Sequence, residues 1–295
     1  MSFRFEPSDA TVEAAVRRIA CAELDATLAG IRADDLPIER VIHDVRQRCK
    51  ALRGLIRLVR PVLPAFATEN AAFRDVARSL GGARDGKVLA DTLKALAAEP
   101  DAALDPLAMA RVRERLCAAH SAPAGLREAL DGCVAPLIAA RVRAATWTLT
   151  DDGWDALAPG FLKTMKAARR SMREFEETGD VEAGHRWRKH AKYHWQHMRL
   201  LRGVAREPGR KRAKRALRLS GLLGERHDLD LLAAALAALP PSDGDEETIA
   251  RLTMLSSRRS DLLDAKAAPL GRRLFGRRPH KLASRWGARW RQWAG

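Results

Sequence analysis

The chain has 295 residues, with 53 Lys and Arg against 37 Asp and Glu, and a formal net charge of +16. Hydrophobic residues make up 46% of the chain, which excludes a disordered basic tail and allows a sizeable core. No stretch approaches the length of a membrane span, and the first residues lack an apolar signal core. We therefore expect a cytoplasmic protein with an anionic partner, whose chemistry the charge alone does not identify.

Capping residues and chain breakers predict helices throughout, because Ala, Leu and Arg dominate and β-branched runs are few. In chain order, the predicted helices cover about 8–30, 37–62, 70–98 (interrupted at Gly81-Gly82), 106–119, 123–148, 161–177, 181–204, 211–239, 246–274 and 279–293. A linker is predicted between the fifth and sixth helices, where Thr150-Asp151-Asp152-Gly153 and Pro159-Gly160 stand. The fold class is therefore predicted to be all-α.

An internal repeat spans about half the chain. Aligning His43 with His185 also aligns Arg46 with Arg188, Lys50 with Lys192, Arg57 with Arg199 and Arg60 with Arg202, whereas Arg53 meets Trp195. Further along, Leu80-Gly81-Gly82-Ala83-Arg84-Asp85 aligns with Leu223-Gly224-Glu225-Arg226-His227-Asp228. We predict one domain made of two similar helical bundles, residues 5–150 and 155–295, that face each other across a pseudo-twofold axis.

The first basic stripe consists of six residues at steps of three and four, which places them on one helix face. Its members are His43, Arg46, Lys50, Arg53, Arg57 and Arg60. The positions one residue earlier are all apolar: Ile42, Val45, Cys49, Leu52, Ile56 and Val59. Residues 40–60 contain a single acid, Asp44, although stacked like charges destabilise a helix. The stripe is about 25 Å long, which suits a linear row of negative charges.

The second basic stripe lies within residues 185–202, which hold six Lys or Arg, no acid, and four of the eight histidines. Guanidinium groups make bidentate phosphate contacts, while Lys and His act as adaptable donors. From this stripe we expect His185, Arg188, Lys189, Lys192 and Arg199 to face the first stripe across a shared groove. Lys163, Lys166 and Arg170, at steps of three and four, are expected to form a third wall of that groove.

These residues resemble the signature of the CHAD domain, the conserved histidine α-helical domain. The resemblance rests on His43-x-x-Arg46-x-x-x-Lys50-x-x-Arg53, on His185-x-x-Arg188-Lys189-x-x-Lys192-Tyr193 and on Leu222-Leu223-Gly224-Glu225-Arg226-His227-Asp228-Leu229. It implies two bundles of about four helices each around a basic groove or pore. It also implies inorganic polyphosphate as the ligand, association with polyphosphate granules, and no catalysis or cofactor.

Two other functions remain open at this point. The pair His227-Asp228, with His185, His190, His194 and Asp264, is also typical of an HD-type metal-dependent phosphohydrolase, but the repeat places Arg84 opposite His227, and Arg is not a metal ligand. Nonspecific nucleic-acid binding would need only phosphate contacts. Asp85 and Asp228 are expected to cap a following helix or to pair with stripe residues.

Smaller features carry their own expectations. His190, His194 and His197 stand at metal-compatible spacing, yet their Lys-rich setting favours anion contact or plain surface. The basic segment 271–295 carries Trp286, Trp290 and Trp293 on one face. We expect this face to pack on the second bundle, with a helix at a membrane surface as the alternative. The four cysteines are expected to be buried free thiols.

Overall fold

The computed structural model describes residues 3–33, 36–81, 85–119, 125–240 and 244–294, except the side chains of Asp85 and Arg206. Within these ranges the chain is helical and contains no strand, so the all-α prediction is confirmed. The helices are α1 (Val12–Arg32), α2 (Ile38–Leu58), α3 (Phe66–Ser79), α4 (Asp85–Ala97), α5 (Pro106–Ala119), α6 (Leu126–Asp131), α7 (Val134–Ala144), α8 (Gly153–Thr178), α9 (Val181–Leu200), α10 (Arg206–Ala237), α11 (Glu246–Phe275) and α12 (Pro279–Ala294).

Three helices, α2, α8 and α9, cross one another at close range in the centre of the protein. A Cβ added at Gly160 of α8 would overlap the carbonyl oxygen of Leu58 at the end of α2. A Cβ added at Gly54 of α2 would lie 2.7 Å from the Cβ of Gln196 in α9. Glycine at these two positions therefore allows the helix backbones to approach each other.

The predicted linker at Pro159-Gly160 is wrong, because both residues lie inside α8. A helix interior tolerates proline when packing outweighs the lost backbone hydrogen bond. Here the residue after the proline is Gly160, the glycine at which α8 crosses α2. The pair marks a helix crossing rather than a chain break.

The apolar face predicted for α2 is confirmed, since Ile42, Val45, Cys49, Leu52, Ile56 and Val59 are all buried. They belong to a main core to which α1–α3 and α6–α12 contribute. A second, smaller core joins α4 and α5 to the C-terminal half of α10 and the N-terminal half of α11. This packing connects the two halves of the sequence, and their division into two bundles stays a prediction.

Several helix boundaries differ from the predicted ones. Residues 126–144 form two helices, α6 and α7, instead of the one predicted to continue to residue 148, and α3 begins at Phe66, ahead of the predicted start. Asp228 lies inside the continuous helix α10 and caps nothing, so the capping prediction is wrong there. The capping prediction for Asp85 concerns a side chain outside the part of the chain that the structure describes. The second half thus keeps a continuous helix where the first half changes from α3 to α4.

The aromatic face of α12 packs inward, as expected: Trp286 and Trp290 are buried and Trp293 is half-buried. Phe5 meets the Trp290 ring edge-on at 5.4 Å. Of the cysteines, Cys49 and Cys133 are buried, Cys21 is intermediate and Cys117 is exposed, so the expectation of four buried thiols is wrong for the last two. No described helix is long and apolar enough to cross a membrane.

Candidate anion-binding site

The basic stripe of α2 lies at the border of the core. All six members are half-buried, while the face beside them is fully buried. Asp44, the acid among them, pairs with Arg40 at 3.3 Å, and Arg40 is not a member of the stripe. His43 lies 3.3 Å from the amide nitrogen of Gln47 and lines, with Arg46 and residues of α4, a groove of about 460 Å³. The stripe is thus partly accessible along its length.

Arg53 and Arg57 share a neutral acceptor. The side-chain oxygen of Asn70 in α3 accepts hydrogen bonds from the Arg53 Nε at 3.2 Å and from an Arg57 Nη at 3.0 Å. The guanidinium of Arg57 also stacks over the Tyr193 ring of α9, 4.4 Å from its centre. Burial lowers the pKa of Arg53, and Arg57 lowers it further, although Tyr193 opposes them. Two cations are therefore held close together, and desolvation disfavours the charge of Arg53.

Asn70 and Tyr193 were not among the predicted site residues. They are the only asparagine and the only tyrosine in the sequence, and both contact Arg57. Tyr193 ends the CHAD-like segment that begins at His185, whereas the rarity of Asn70 was its one available signal, since neither residue belongs to a charged stripe.

Equivalent contacts occur at the aligned positions of the two halves. An Nη of Arg46 donates to the Ala77 carbonyl at 2.9 Å and lies 3.4 Å from where a Cβ of Gly81 would stand. The Nε of Arg188 lies 3.8 Å from the same position at Gly224. Each arginine therefore rests against the glycine that the repeat assigns to it.

His185 of α9 meets His227 of α10. Their Nδ1 atoms are 3.5 Å apart and their ring centres 4.6 Å apart. Burial lowers the pKa of His227 to about 4, with Arg188 and His185 adding to the effect. Burial and Arg188 also lower the pKa of His185. Both rings are neutral at pH 7 and can act as hydrogen-bond donors beside Arg188.

Cations from α2, α8 and α9 converge on His190. Burial lowers the pKa of His190 to about 4, and the positive charges of Lys189, Arg57 and Arg170 lower it further. These three cations come from the two stripes and from the predicted third wall. The structure thus brings one member of each group to the same region.

The predicted third wall lies on the solvent face of α8, where Lys163, Lys166 and Arg170 are exposed. Lys166 and Arg170 line an open groove of about 970 Å³ with Arg186 of α9, and two acids, Glu174 and Glu177, line it as well. Lys163 is not among the residues that line this groove.

The remaining members of the second stripe lie along α9. Lys192 is half-buried and Lys189 is exposed. Arg199 is half-buried at the far end, where its guanidinium stacks over Phe3 at 4.8 Å and Trp195 at 5.1 Å. Burial lowers its pKa. A single groove that encloses both stripes stays a prediction.

Two histidines of α9 face the core instead of the site. His194 is fully buried, and its Nε2 accepts a hydrogen bond from the Nε of Arg212 at 2.7 Å. His197 is fully buried with its Nε2 3.2 Å from the Gly54 carbonyl oxygen. Burial lowers the pKa of His197 to about 3 and that of His194 well below the ordinary value. His197 joins α9 to α2, and His194 joins α9 to α10, so the expectation of anion contact is wrong for both.

The residues of the phosphohydrolase hypothesis do not all come together, although His185 meets His227. His194 faces Arg212 in the core, and Asp264 accepts a hydrogen bond from Arg226 at 3.1 Å. Within the described ranges, no group of three or more His, Cys, Asp or Glu side chains gathers in a way that could hold a metal ion.

Fold and site together define an all-helical protein with an extended basic surface over three crossing helices. Residues 15–237, about three quarters of the chain, match the family model of the CHAD domain. The chain therefore belongs to the CHAD domain family, which is associated with polyphosphate binding. Comparison with curated proteins gave no match.

Proposed function

We propose that this protein binds inorganic polyphosphate along the basic stripes of α2 and α9, with Lys163, Lys166 and Arg170 of α8 as additional contacts. Binding is electrostatic and non-enzymatic, and it needs neither a metal nor a cofactor. In the cell, the protein associates with polyphosphate granules in the cytoplasm. The two stripes line one groove between pseudo-twofold-related bundles.

The observation that carries this proposal is the sharing of Asn70 by Arg53 and Arg57. In the part of the chain that the structure describes, neither arginine forms an ion pair with a carboxylate. Elsewhere the protein does supply carboxylates to its arginines: Arg143 bonds the buried Glu69 at 2.7 Å. A neutral acceptor positions two guanidiniums without neutralising them, so their charge remains for an external anion.

The repeated contacts support a ligand that reaches both halves. Arg46 lies next to Gly81 and Arg188 lies next to Gly224, so the two arginines occupy equivalent positions in the two stripes. Arg57 of the first stripe stacks over Tyr193, next to Lys192 of the second stripe, which supports a ligand that contacts both stripes near the middle of α9. A linear chain of phosphates satisfies such a row better than one phosphate ion, because its charges repeat at short intervals.

Competition binding tests the ligand class. Labelled long-chain polyphosphate is challenged with duplex DNA, single-stranded RNA and orthophosphate at about 0.15 M salt. We expect nucleic acid at equal phosphate concentration to displace little of the label, and affinity to fall steeply as salt rises. Equal competition by nucleic acid would instead identify a general polyanion-binding surface.

Charge reversal tests the site. We expect the fourfold variant with Arg46, Lys50, Arg188 and Lys192 changed to Glu to lose binding while keeping its helicity.

The matched control reverses two Arg and two Lys that are exposed outside the stripes: Lys214, Arg218, Arg273 and Lys281. It carries the same change in net charge and should keep most of its affinity. An equal loss in both variants would mean that affinity follows net charge, and retained binding in the folded site variant would refute the groove.

A further inference from the structure

A second basic cavity lies beyond the end of α9, between the N-terminal segment and α12. It has a volume of about 620 Å³, within the range of small-molecule sites. Four arginines line it: Arg4, Arg199, Arg202 and Arg210. None of its described lining residues is acidic. Apolar side chains, including Phe5, Met198 and Trp293, form the rest of the wall.

Part of this cavity lies outside the residues that match the family model. Arg4 and Phe5 precede residue 15, and Trp293 follows residue 237. Trp293 is half-buried, with its ring 5.3 Å from that of Trp290 and against Gly203, where a Cβ would lie 3.3 Å from the indole. Six of the ten lining residues, among them Arg199 and Arg202, lie inside residues 15–237, and the two terminal segments complete the wall.

The arginines of the cavity wall differ in their partners. Arg4 pairs with Glu6 at 3.5 Å and Arg210 with Glu207 at 2.9 Å, so these two cations are partly neutralised at the rim. Arg199 donates instead to the neutral side-chain oxygen of Gln196 at 3.0 Å. Burial lowers the pKa of Arg199, which shows that its charge is partly desolvated.

We infer that this cavity binds a nucleoside di- or triphosphate, with the base against Trp293 and the phosphates on Arg199 and Arg202. A guanidinium pairs well with phosphate oxygens, and an indole offers a flat apolar face to a heterocycle. Inorganic polyphosphate uses only the first of these features. Arg199 and Arg202 also belong to the far end of the second stripe, but the inference does not rest on polyphosphate binding by the stripes of α2 and α9.

Calorimetric titration of the full chain with ATP, tripolyphosphate and adenosine tests the inference. ATP and tripolyphosphate both present three phosphates, but only ATP has a base. We expect ATP to bind about tenfold more tightly than tripolyphosphate, because base stacking adds to the phosphate contacts, and adenosine alone to bind weakly. Equal affinity for ATP and tripolyphosphate would overturn the assignment.

Variants assign the effect to the cavity. Trp293→Leu should abolish the preference for ATP, Trp293→Phe should keep most of it, and Arg202→Glu should weaken ATP and tripolyphosphate alike. Arg285→Leu, an exposed change on α12 outside the cavity, is the control and should keep the preference. If Trp293→Leu does not fold, unchanged ATP binding by a folded Arg202→Glu variant would still overturn the inference.

The stripe variants separate this inference from the proposed function. The fourfold reversal at Arg46, Lys50, Arg188 and Lys192 should still bind ATP, while Trp293→Leu should still bind long-chain polyphosphate. Loss of ATP binding in the folded stripe variant would place the nucleotide on the stripes and refute a separate cavity.

Discussion

Replacing Asn70 with Asp should stabilise the protein and weaken polyphosphate binding at the same time. The substitution conserves the shape of the side chain and adds one negative charge between Arg53 and Arg57, whose nitrogens lie 3.2 and 3.0 Å from the acceptor oxygen. Two hydrogen bonds to a neutral acceptor become charge-assisted ones. The variant therefore offsets one of the two positive charges that the wild-type protein leaves for its ligand.

The size of each effect follows from that geometry. Hydrogen bonds to charged groups contribute more than neutral ones, and partial exposure screens them, so we expect a gain of about 1–2 kcal/mol in the free energy of unfolding. This corresponds to an increase of about 2–4 °C in the melting temperature. Loss of a charge-assisted phosphate contact should weaken polyphosphate binding by about tenfold. The dependence of affinity on salt should become shallower, because fewer counterions are released.

Urea unfolding and polyphosphate titration over a range of salt concentrations measure the two effects. Thr68→Asp is the matched control, because it adds the same charge to an exposed position of α3 two residues away. It should change both quantities much less. A stabilised Asn70→Asp protein with wild-type affinity would refute contact of polyphosphate with Arg53 and Arg57. A destabilised one would refute the view that Asn70 takes the place of a carboxylate.

Three further predictions concern the helix crossing and the histidines. Gly160→Ala should lower the free energy of urea unfolding by at least about 2 kcal/mol, because α8 and α2 must separate. Gly30→Ala, with no atom near its Cβ, should change it little or raise it, and equal effects would contradict the close crossing. For His197, whose pKa burial lowers from 6.5 to about 3, the unfolded chain takes up the proton first as pH falls. His197 alone should lower stability by up to about 1.4 kcal/mol per pH unit between 6.5 and about 3, in addition to His190, His194 and His227. His197→Gln should remove that part of the slope, whereas an unchanged slope would exclude His197. Because a bound polyanion raises the pKa of His190 from about 4, binding should take up protons and tighten as pH falls from 7 to 5. Titration in buffers of different ionisation enthalpy measures this uptake, which His190→Gln should reduce.

The periodicity of α2 is the part of the site that could be predicted most fully. The steps of three and four fix which residues share a helix face, whatever surrounds the helix. The six apolar positions are accordingly buried and the six basic ones half-buried. The same reasoning predicted the inward Trp face of α12.

The same approach was less successful on α9, where four histidines looked equivalent. His185 and His190 lie on the basic side, whereas His194 and His197 are fully buried against Arg212 and Gly54. Histidine occurs both in protein cores and on surfaces, so the residue type alone does not decide which side of the helix it occupies. The decision comes from the helices packed against α9: His197 meets Gly54 of α2, and His194 meets Arg212 of α10 and Phe161 of α8.

The sequence by itself determined the helical class, the two charged stripes and their repetition, because these depend on composition and on spacing within a helix. Only the tertiary structure decided that Pro159-Gly160 marks a helix crossing, that Asn70 and Tyr193 hold Arg57, and that terminal segments form a cavity around Arg199. Each of these is a contact between residues far apart in the chain. Such contacts depend on how helices pack against one another, and local periodicity carries no information about their partners.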